Sequence, residues 1–389
     1  MNRLKPLPHK ASTGVNLIIG LLAIEYIPHK LLGIALFHCD GKICLKITLI
    51  YFFSNMATIY VLEYGSYLKV QHQKFQVLQQ KKLLFQVPVR EVTNIILFGY
   101  CHLSHGAVQT ALFRKIPIIY YSSQGYYLGC LESKTQSKVT YLTEQVRRAE
   151  NENFVRQQAE IIVRAKLRNA RILLMRINRR RPNEVTNKTI TELKKIIKCL
   201  DVHPPLASLR GYEGKGARIY FQGLSKLFKG EFSFNQRTLR PPKDPINSLL
   251  GFGYTLLCQE LISTIQLAGL HTDYGNLHTP RNHHPALVLD LMEEFRAQIV
   301  DSLIVYFVNK KIFSQEDFTL PDEKGAVYLK QESLKKFLKY WSEKLSTELT
   351  HPPTQRKVTL RTCLKLQVKE YISCLMGKSE NYQPMLWQK

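Results

Sequence analysis

From Met56 to about Leu131 the chain alternates apolar and polar residues in short runs: Thr58 to Leu62, Tyr67 to Gln71, Lys74 to Leu78 and Leu83 to Val87, with turn-length gaps between them. Strand side chains point to opposite faces in turn, so a period of two predicts β-strands. Val92 to Phe98 and Ile116 to Tyr121 are more continuously apolar and predict buried strands. Between these two, Ser104 is placed to cap a short helix running through Leu112. Tyr126 to Leu131 closes the set after the Ser122-Ser-Gln-Gly125 turn.

After a polar linker, Glu132 to Ser137, the period becomes helical and stays so. Val139 to about Ile177 predicts one long helical region, ended by Arg179-Arg-Arg-Pro182. Asn183 to Asn187 reads as a loop before a helix over Ile190 to Leu200. Phe234 to Leu257 is a basic, Pro-rich loop leading into an apolar helix with Asn247 near its start. Further helices are predicted around Val288 to Leu303, Leu329 to Leu345 and Leu360 to Met376. The fold class is therefore α+β, a small N-terminal β-rich domain followed by a larger all-helical domain, with boundaries at 56–132 and 138–389.

Residues 1–55 differ from everything after them. Val15 to Ile27 is almost wholly apolar but holds Glu25 and is short for a bilayer span. A basic start before an apolar run imitates a signal peptide, yet no clear small-residue cleavage site follows. Met56 opens the strand pattern, so a start codon assigned too far upstream is set against an anchor or an accessory element. No stable membrane association is expected.

The chain's 389 residues and 45% hydrophobic share suffice for two folded domains. Charge changes the picture more: 55 Lys and Arg against 30 Asp and Glu give +25, which favours a polyanionic partner, most simply nucleic acid. Arg164, Arg168 and Arg171 share a helix face that suits either a phosphate backbone or plain solvation, and Arg237, Arg240 and Lys243 sit on a loop able to meet phosphate. The eight cysteines form no CxxC pair, which argues against a zinc ribbon or redox dithiol and fits a reducing cytoplasm.

Candidate chemistry centres on Gly275 to Asp301. His278 sits in a Pro-punctuated loop, and the helix after it carries Asp290, Glu293, Glu294 and Asp301. At about 100° per residue these acids fall on one stripe, opposite Val288, Met292, Phe295, Ile299 and Leu303. Such a stripe is ordinarily the solvated side of a helix. An imidazole beside carboxylates, however, can also hold magnesium or manganese, given a further ligand from elsewhere. Glu213 is the candidate, on a segment where Gly211, Gly214 and Gly216 allow close approach of backbone or nucleic acid. The GxxxxGK[ST] spacing is absent there, which argues against a nucleotide loop.

Six stretches resemble the CRISPR-associated Cas-one integrases of spacer acquisition: Met56-Ala-Thr-Ile-Tyr-Val, Ile96-Leu-Phe-Gly-Tyr with Leu103-Ser, Gly211-Tyr-Glu-Gly with Ala217-Arg-Ile-Tyr-Phe, Arg240-Pro-Pro-Lys-Asp-Pro-Ile-Asn, Gly275-Asn-Leu-His and Leu289-Asp-Leu-Met-Glu-Glu-Phe-Arg. They cover most of the chain after Met56 in the expected order. The resemblance implies a β-rich dimerisation domain and a helical catalytic domain that binds Mg2+ or Mn2+ through Glu213, His278 and Glu293, with Asp290 as a further essential acid. It implies a homodimer, bridged by a small ferredoxin-like Cas-two protein, joining the 3′-hydroxyl ends of short DNA fragments to a CRISPR repeat in a prokaryotic cytoplasm. Arg210, Lys215, Arg218 and Arg240 would hold DNA beside the metal. His283-His284 and His271 depart from the family pattern, away from the inferred ligands, and residues 1–55 have no counterpart in it. The alternatives are a structure-selective metal-dependent nuclease acting on branched DNA and a non-catalytic nucleic-acid scaffold.

Overall fold

The computed structural model describes residues 57–389 apart from 124, 126, 134–137, 181, 239, 240, 388 and 389, together with the backbone of a short antiparallel hairpin, β1 (Phe37–Cys39) and β2 (Lys42–Cys44). The status of residues 1–55 otherwise lies outside the described residues, as does Arg240.

Two four-stranded sheets build the N-terminal part. The first has the order β10 (Tyr127–Leu131), β9 (Ile118–Tyr121), β7 (Val92–Phe98), β3 (Ala57–Val61); β3, β7 and β9 are parallel and β10 is antiparallel. The second is a meander of β4 (Ser66–Gln71), β5 (Lys74–Gln79) and β6 (Lys82–Pro88), with β8 (Cys101–Leu103) parallel to β4. His72-Gln73 and Gln80-Lys81, all with positive φ, make the two hairpin turns, the backbone shape that a two-residue hairpin loop requires. Ser104 Oγ accepts from Ala107 N and caps α1 (His105–Phe113).

The continuously apolar strands are buried on both faces, and this places the two parts of the chain. Ile59, Val61, Ile95, Leu97 and Ile118 pack with Phe75, Val77 and Ala107 in the β-rich core. Their neighbours Tyr60, Ile96, Phe98, Ile119 and Tyr121 belong instead to the helical core, with Phe252, Leu256 and Trp341. Strand periodicity thus sends alternate side chains into two different cores, and the sheet is the floor on which the helices pack.

The helical region over 139–177 is two helices. Asn151 Oδ1 accepts from Phe154 N, so an N-cap separates α2 (Val139–Ala149) from α3 (Glu152–Asn178). Asn183 likewise caps α4 (Glu184–Lys198), which begins six residues before Ile190 and absorbs the expected loop. Then come α5 (Leu206–Ser225), α6 (Pro245–Leu267, capped by Asp244 with Pro245 in its first turn), α7 (Ala286–Phe295), a π-helical turn (Arg296–Asp301) and α8 (Ser302–Asn309). After α9 (Gln331–Leu345), a hairpin of β11 (Glu348–His351) and β12 (Arg356–Thr359) precedes α10 (Leu360–Leu375). No described helix is long and apolar enough to cross a membrane.

Buried on all sides, α7 packs against α3 and α6. The bland alternative of a solvated acidic stripe therefore does not hold: Asp290, Glu293, Glu294 and Asp301 are all buried. The π turn inserts an extra residue per turn before Asp301 and takes it off the line of the others.

Candidate active site

Three helices and one loop converge at α7. Gly275 makes the loop possible, because a Cβ there would lie 2.6 Å from the Ala286 carbonyl carbon. With the loop pressed onto the start of α7, Asp290 Oδ2 accepts from Asn276 N at 2.5 Å and Leu277 N at 3.0 Å, while Oδ1 accepts from His278 N at 3.0 Å. His278 Nδ1 lies 2.7 Å from the same Oδ1. A carboxylate among these partners is an acceptor, so Nδ1 carries the proton and, in the neutral ring, Nε2 keeps a free lone pair. Burial opposes protonation of the His278 ring, but the hydrogen bond to Asp290 and its charge outweigh it and raise the pKa.

Gly216 lets α5 close on Leu167 of α3, which brings Glu213 beside Lys166. The Lys166 ammonium contacts Glu213 Oε1 and lies 2.8 Å from Glu293 Oε2. Arg296 Nε is 2.9 Å from that Glu293 oxygen, close enough for an ion pair, yet neither atom has hydrogen-bond geometry with any partner. Burial pushes the Glu293 carboxyl up, but Arg296 and Lys166 more than offset it and hold its pKa below the usual range. A cavity of about 400 Å³ opens from Glu213 and His278, lined also by Arg210, Leu277, Thr279, Arg281 and His284.

The remaining two acids serve other partners. Glu294 accepts from Tyr382 Oη at 2.5 Å, Met385 N at 2.6 Å and Gln367 Nε2 at 3.2 Å. Burial nonetheless pushes its carboxyl up to about 7. Asp301 accepts from Tyr220 Oη at 2.7 Å and Tyr254 Oη at 2.5 Å, and burial raises its pKa too.

The structure thus brings Glu213, His278, Asp290 and Glu293 together, with Asp290 spent on the loop and His278. Arg210 lines the cavity and donates its Nε to Leu277 O at 2.8 Å. Lys215 and Arg218 are exposed and, by the helix period, point away from the Glu213 face of α5. His284, expected to stand away from the inferred ligands, instead lies beside one of them: a tight turn from Arg281, with His283 at φ 58°, sets its ring 6.3 Å from that of His278. Arg237, expected on a loop facing phosphate, donates instead to Asn247 Oδ1 at 2.7 Å. Lys166 and Arg296 were not singled out from the sequence. Lys166 did carry a signal, since it stands at the i+4, i+3 and i−4 positions of Ile162, Val163 and Ala170, a lysine inside an apolar stripe.

Oxygen donors with one imidazole suit a hard divalent cation, and the two carboxylates sharing one ammonium, with Glu293 Oε2 paired by charge but not by hydrogen bond, mark where it would fit. Among the described residues no three His, Cys, Asp or Glu side chains are drawn close enough to hold an ion as they stand.

Known proteins share this arrangement of chain and fold. The family model described as CRISPR associated protein Cas1 matches residues 59–343. CRISPR-associated endonuclease Cas1 3 of Thermus thermophilus is 30% identical over 332 residues, which are 85% of this chain and 97% of the relative. Among solved structures, a Cas1 protein from Thermotoga maritima superposes with a TM-score of 0.71 at 23% identity, covering 86% of this chain and 100% of the other. A chain of a partial Cas6-RT-Cas1–Cas2 complex does so with 0.60 at 25% identity, covering 85% and 98%. With a family match across most of its length and a relative aligned almost end to end, this chain belongs to the Cas1 family.

Proposed function

We propose that this protein is a metal-dependent DNA integrase and endonuclease of CRISPR adaptation, joining the 3′-hydroxyl ends of short DNA fragments to a CRISPR repeat by phosphodiester exchange. The observation that carries this reading is that Glu213 and His278 open on a cavity rimmed by Arg210 and Arg281, with the buried Glu293 tied to Glu213 through Lys166 behind them. Glu213, Glu293 and His278 Nε2 would hold Mg2+ or Mn2+. When bound, the ion supplies positive charge for the attacked phosphate and the leaving oxygen. Asp290 is a positioning residue that fixes the His278 ring and the backbone of 276–278. Arg210 and Arg281 orient the phosphate at the cavity mouth. Lys215 and Arg218 would meet the duplex farther out, and Arg240, outside the described residues, is expected to contact DNA as well.

A net charge of +25 supports a DNA partner, and Cas2 in the neighbouring complex supports a small ferredoxin-like Cas-two protein as bridge. In this reading residues 56–132 mediate homodimerisation, residues 138–389 carry catalysis, and the protein works in a prokaryotic cytoplasm. A second reading is favoured by the endonuclease name of the relative: hydrolysis of branched DNA without joining. The test combines purified protein with a Cas-two partner, a labelled short duplex, a supercoiled repeat plasmid and Mn2+. Label entering the plasmid, and lost in His278→Ala, establishes the integrase. Nicked plasmid without label establishes the nuclease.

A further inference from the structure

Lys166 is the feature that neither the family motifs nor the proposed chemistry absorbs. Its stem lies in the buried stripe of α3, and its side chain is only 16% exposed. Its ammonium bridges carboxylates from two other helices, Glu213 of α5 and Glu293 of α7. Arg296 adds a second cation on the Glu293 side. Two carboxylates therefore face two side-chain cations, and the charge of the site is already neutralised without any ion from solution. Uncompensated, Glu293 at 3% exposure would be a costly buried charge.

From this geometry we infer that Lys166 is a resident counter-ion that occupies the cation position between Glu213 and Glu293, so that a divalent metal binds only by displacing it. The inference rests on the metal-site reading above and goes beyond it. An ammonium and a divalent ion held by the same two oxygens repel each other, so they cannot share the position. Lysine suits this exchange because its charge is compact and its four-carbon stem is flexible. The cavity beside Glu213 gives the released ammonium somewhere to go, toward the region where a phosphate would lie. Lys166 would then hold metal affinity down in the free protein while keeping α3, α5 and α7 together before metal arrives.

The test is Mn2+ binding by the full chain, followed by electron paramagnetic resonance, in wild type, Lys166→Met and Lys166→Arg. Lys166→Met is expected to bind Mn2+ at least about tenfold more tightly than wild type, and to lose more of its melting temperature in chelator than it does in Mn2+. Lys166→Arg retains a competing cation and stays at or above the wild-type dissociation constant. A measurement on wild type alone removes dependence on the variant's folding: amine-reactive labelling of Lys166, read by peptide mass spectrometry, rises when Mn2+ saturates the site. Equal or weaker binding by a folded Lys166→Met, or labelling that Mn2+ leaves unchanged or lowers, overturns the counter-ion role while the metal site stands. If neither wild type nor Lys166→Met binds Mn2+, both readings fall.

Discussion

His278 donates its Nδ1 proton to Asp290 Oδ1 across 2.7 Å, and the same carboxylate accepts the backbone N–H groups of Asn276, Leu277 and His278. One side chain therefore sets the ring and the loop that carries it. Asp290→Ala would leave three buried donors without a partner, so it is expected to lower the melting temperature as well as Mn2+ affinity. Removing such a support behind a metal-binding histidine costs about 10–100-fold in affinity. Calorimetric Mn2+ titration beside a thermal melt checks both. A loss of activity with unaltered Mn2+ affinity would instead make Asp290 act directly on substrate.

Glu213 and Glu293 are equivalent as proposed metal ligands but not as parts of the fold. The Glu213 side chain is 25% exposed, while that of Glu293 is 3% exposed between Lys166 and Arg296. Glu293→Gln breaks a buried charge cluster and is expected to cost about 3–5 kcal/mol. Glu213→Gln is expected to stay within about 1 kcal/mol of wild type, as is usual for pairs with solvent access. On the proposed reading both are expected to abolish DNA processing. Urea unfolding of the two variants beside the plasmid assay separates folding from chemistry, and equal stability losses would contradict the asymmetry.

Where a single period governs, the chain was legible. The strands Val92–Phe98 and Lys74–Gln79 and the Ser104 cap stand within a residue or so of where alternation and capping chemistry put them. The four acids from Asp290 to Asp301 read as one stripe, because helix geometry alone cannot show that Glu294 turns toward Tyr382 and Asp301 toward Tyr220. A π turn does not announce itself in composition, and it removed Asp301 from the expected stripe. Lys166 is not legible from the charged face of α3, because its informative feature is a charge within the apolar face. The hairpin Glu348–His351 with Arg356–Thr359 is too short for periodicity to register.

His351 gives the protein a measurable sensitivity to acid. It is fully buried, with Nδ1 2.9 Å from Thr354 Oγ1 and Nε2 2.8 Å from Gln367 Oε1. Burial lowers its pKa below the ordinary value near 6.5, and the Gln367 hydrogen bond only partly opposes this. As pH falls below about 6.5 the unfolded chain takes up the proton first, so stability is lost progressively down through the folded-state pKa. Melting temperatures at pH 7, 6 and 5 are therefore expected to fall more steeply in wild type than in His351→Gln. Parallel slopes would show that His351 titrates alike in both states.

The C-terminal segment is expected to act as a brace for the candidate site. Met385 is fully buried, its N–H bonds Glu294 Oε2 at 2.6 Å, and its carbonyl accepts from Asn169 Nδ2 at 2.9 Å. Asn169 Nδ2 also donates to Glu294 O at 2.8 Å, so one side chain of α3 ties the tail to the helix that bears Glu293. Met385→Ala is expected to destabilise by about 2–5 kcal/mol, the usual cost of emptying a well-packed core position. Trp387→Ala removes the stacking of Arg176 on the indole, 4.6 Å from its centroid, together with the ring's packing against the helical core, and should cost less than Met385→Ala because the site is partly exposed. Deleting the chain from Asn381 onward removes the Tyr382 and Met385 donors as well, leaving the Glu294 carboxylate with Gln367 alone. Its loss should exceed that of Met385→Ala and lower DNA processing even where the protein remains folded. Urea midpoints for the three variants, measured with the strand-transfer assay, check this order; a deletion variant as stable and active as wild type would show that the tail braces nothing.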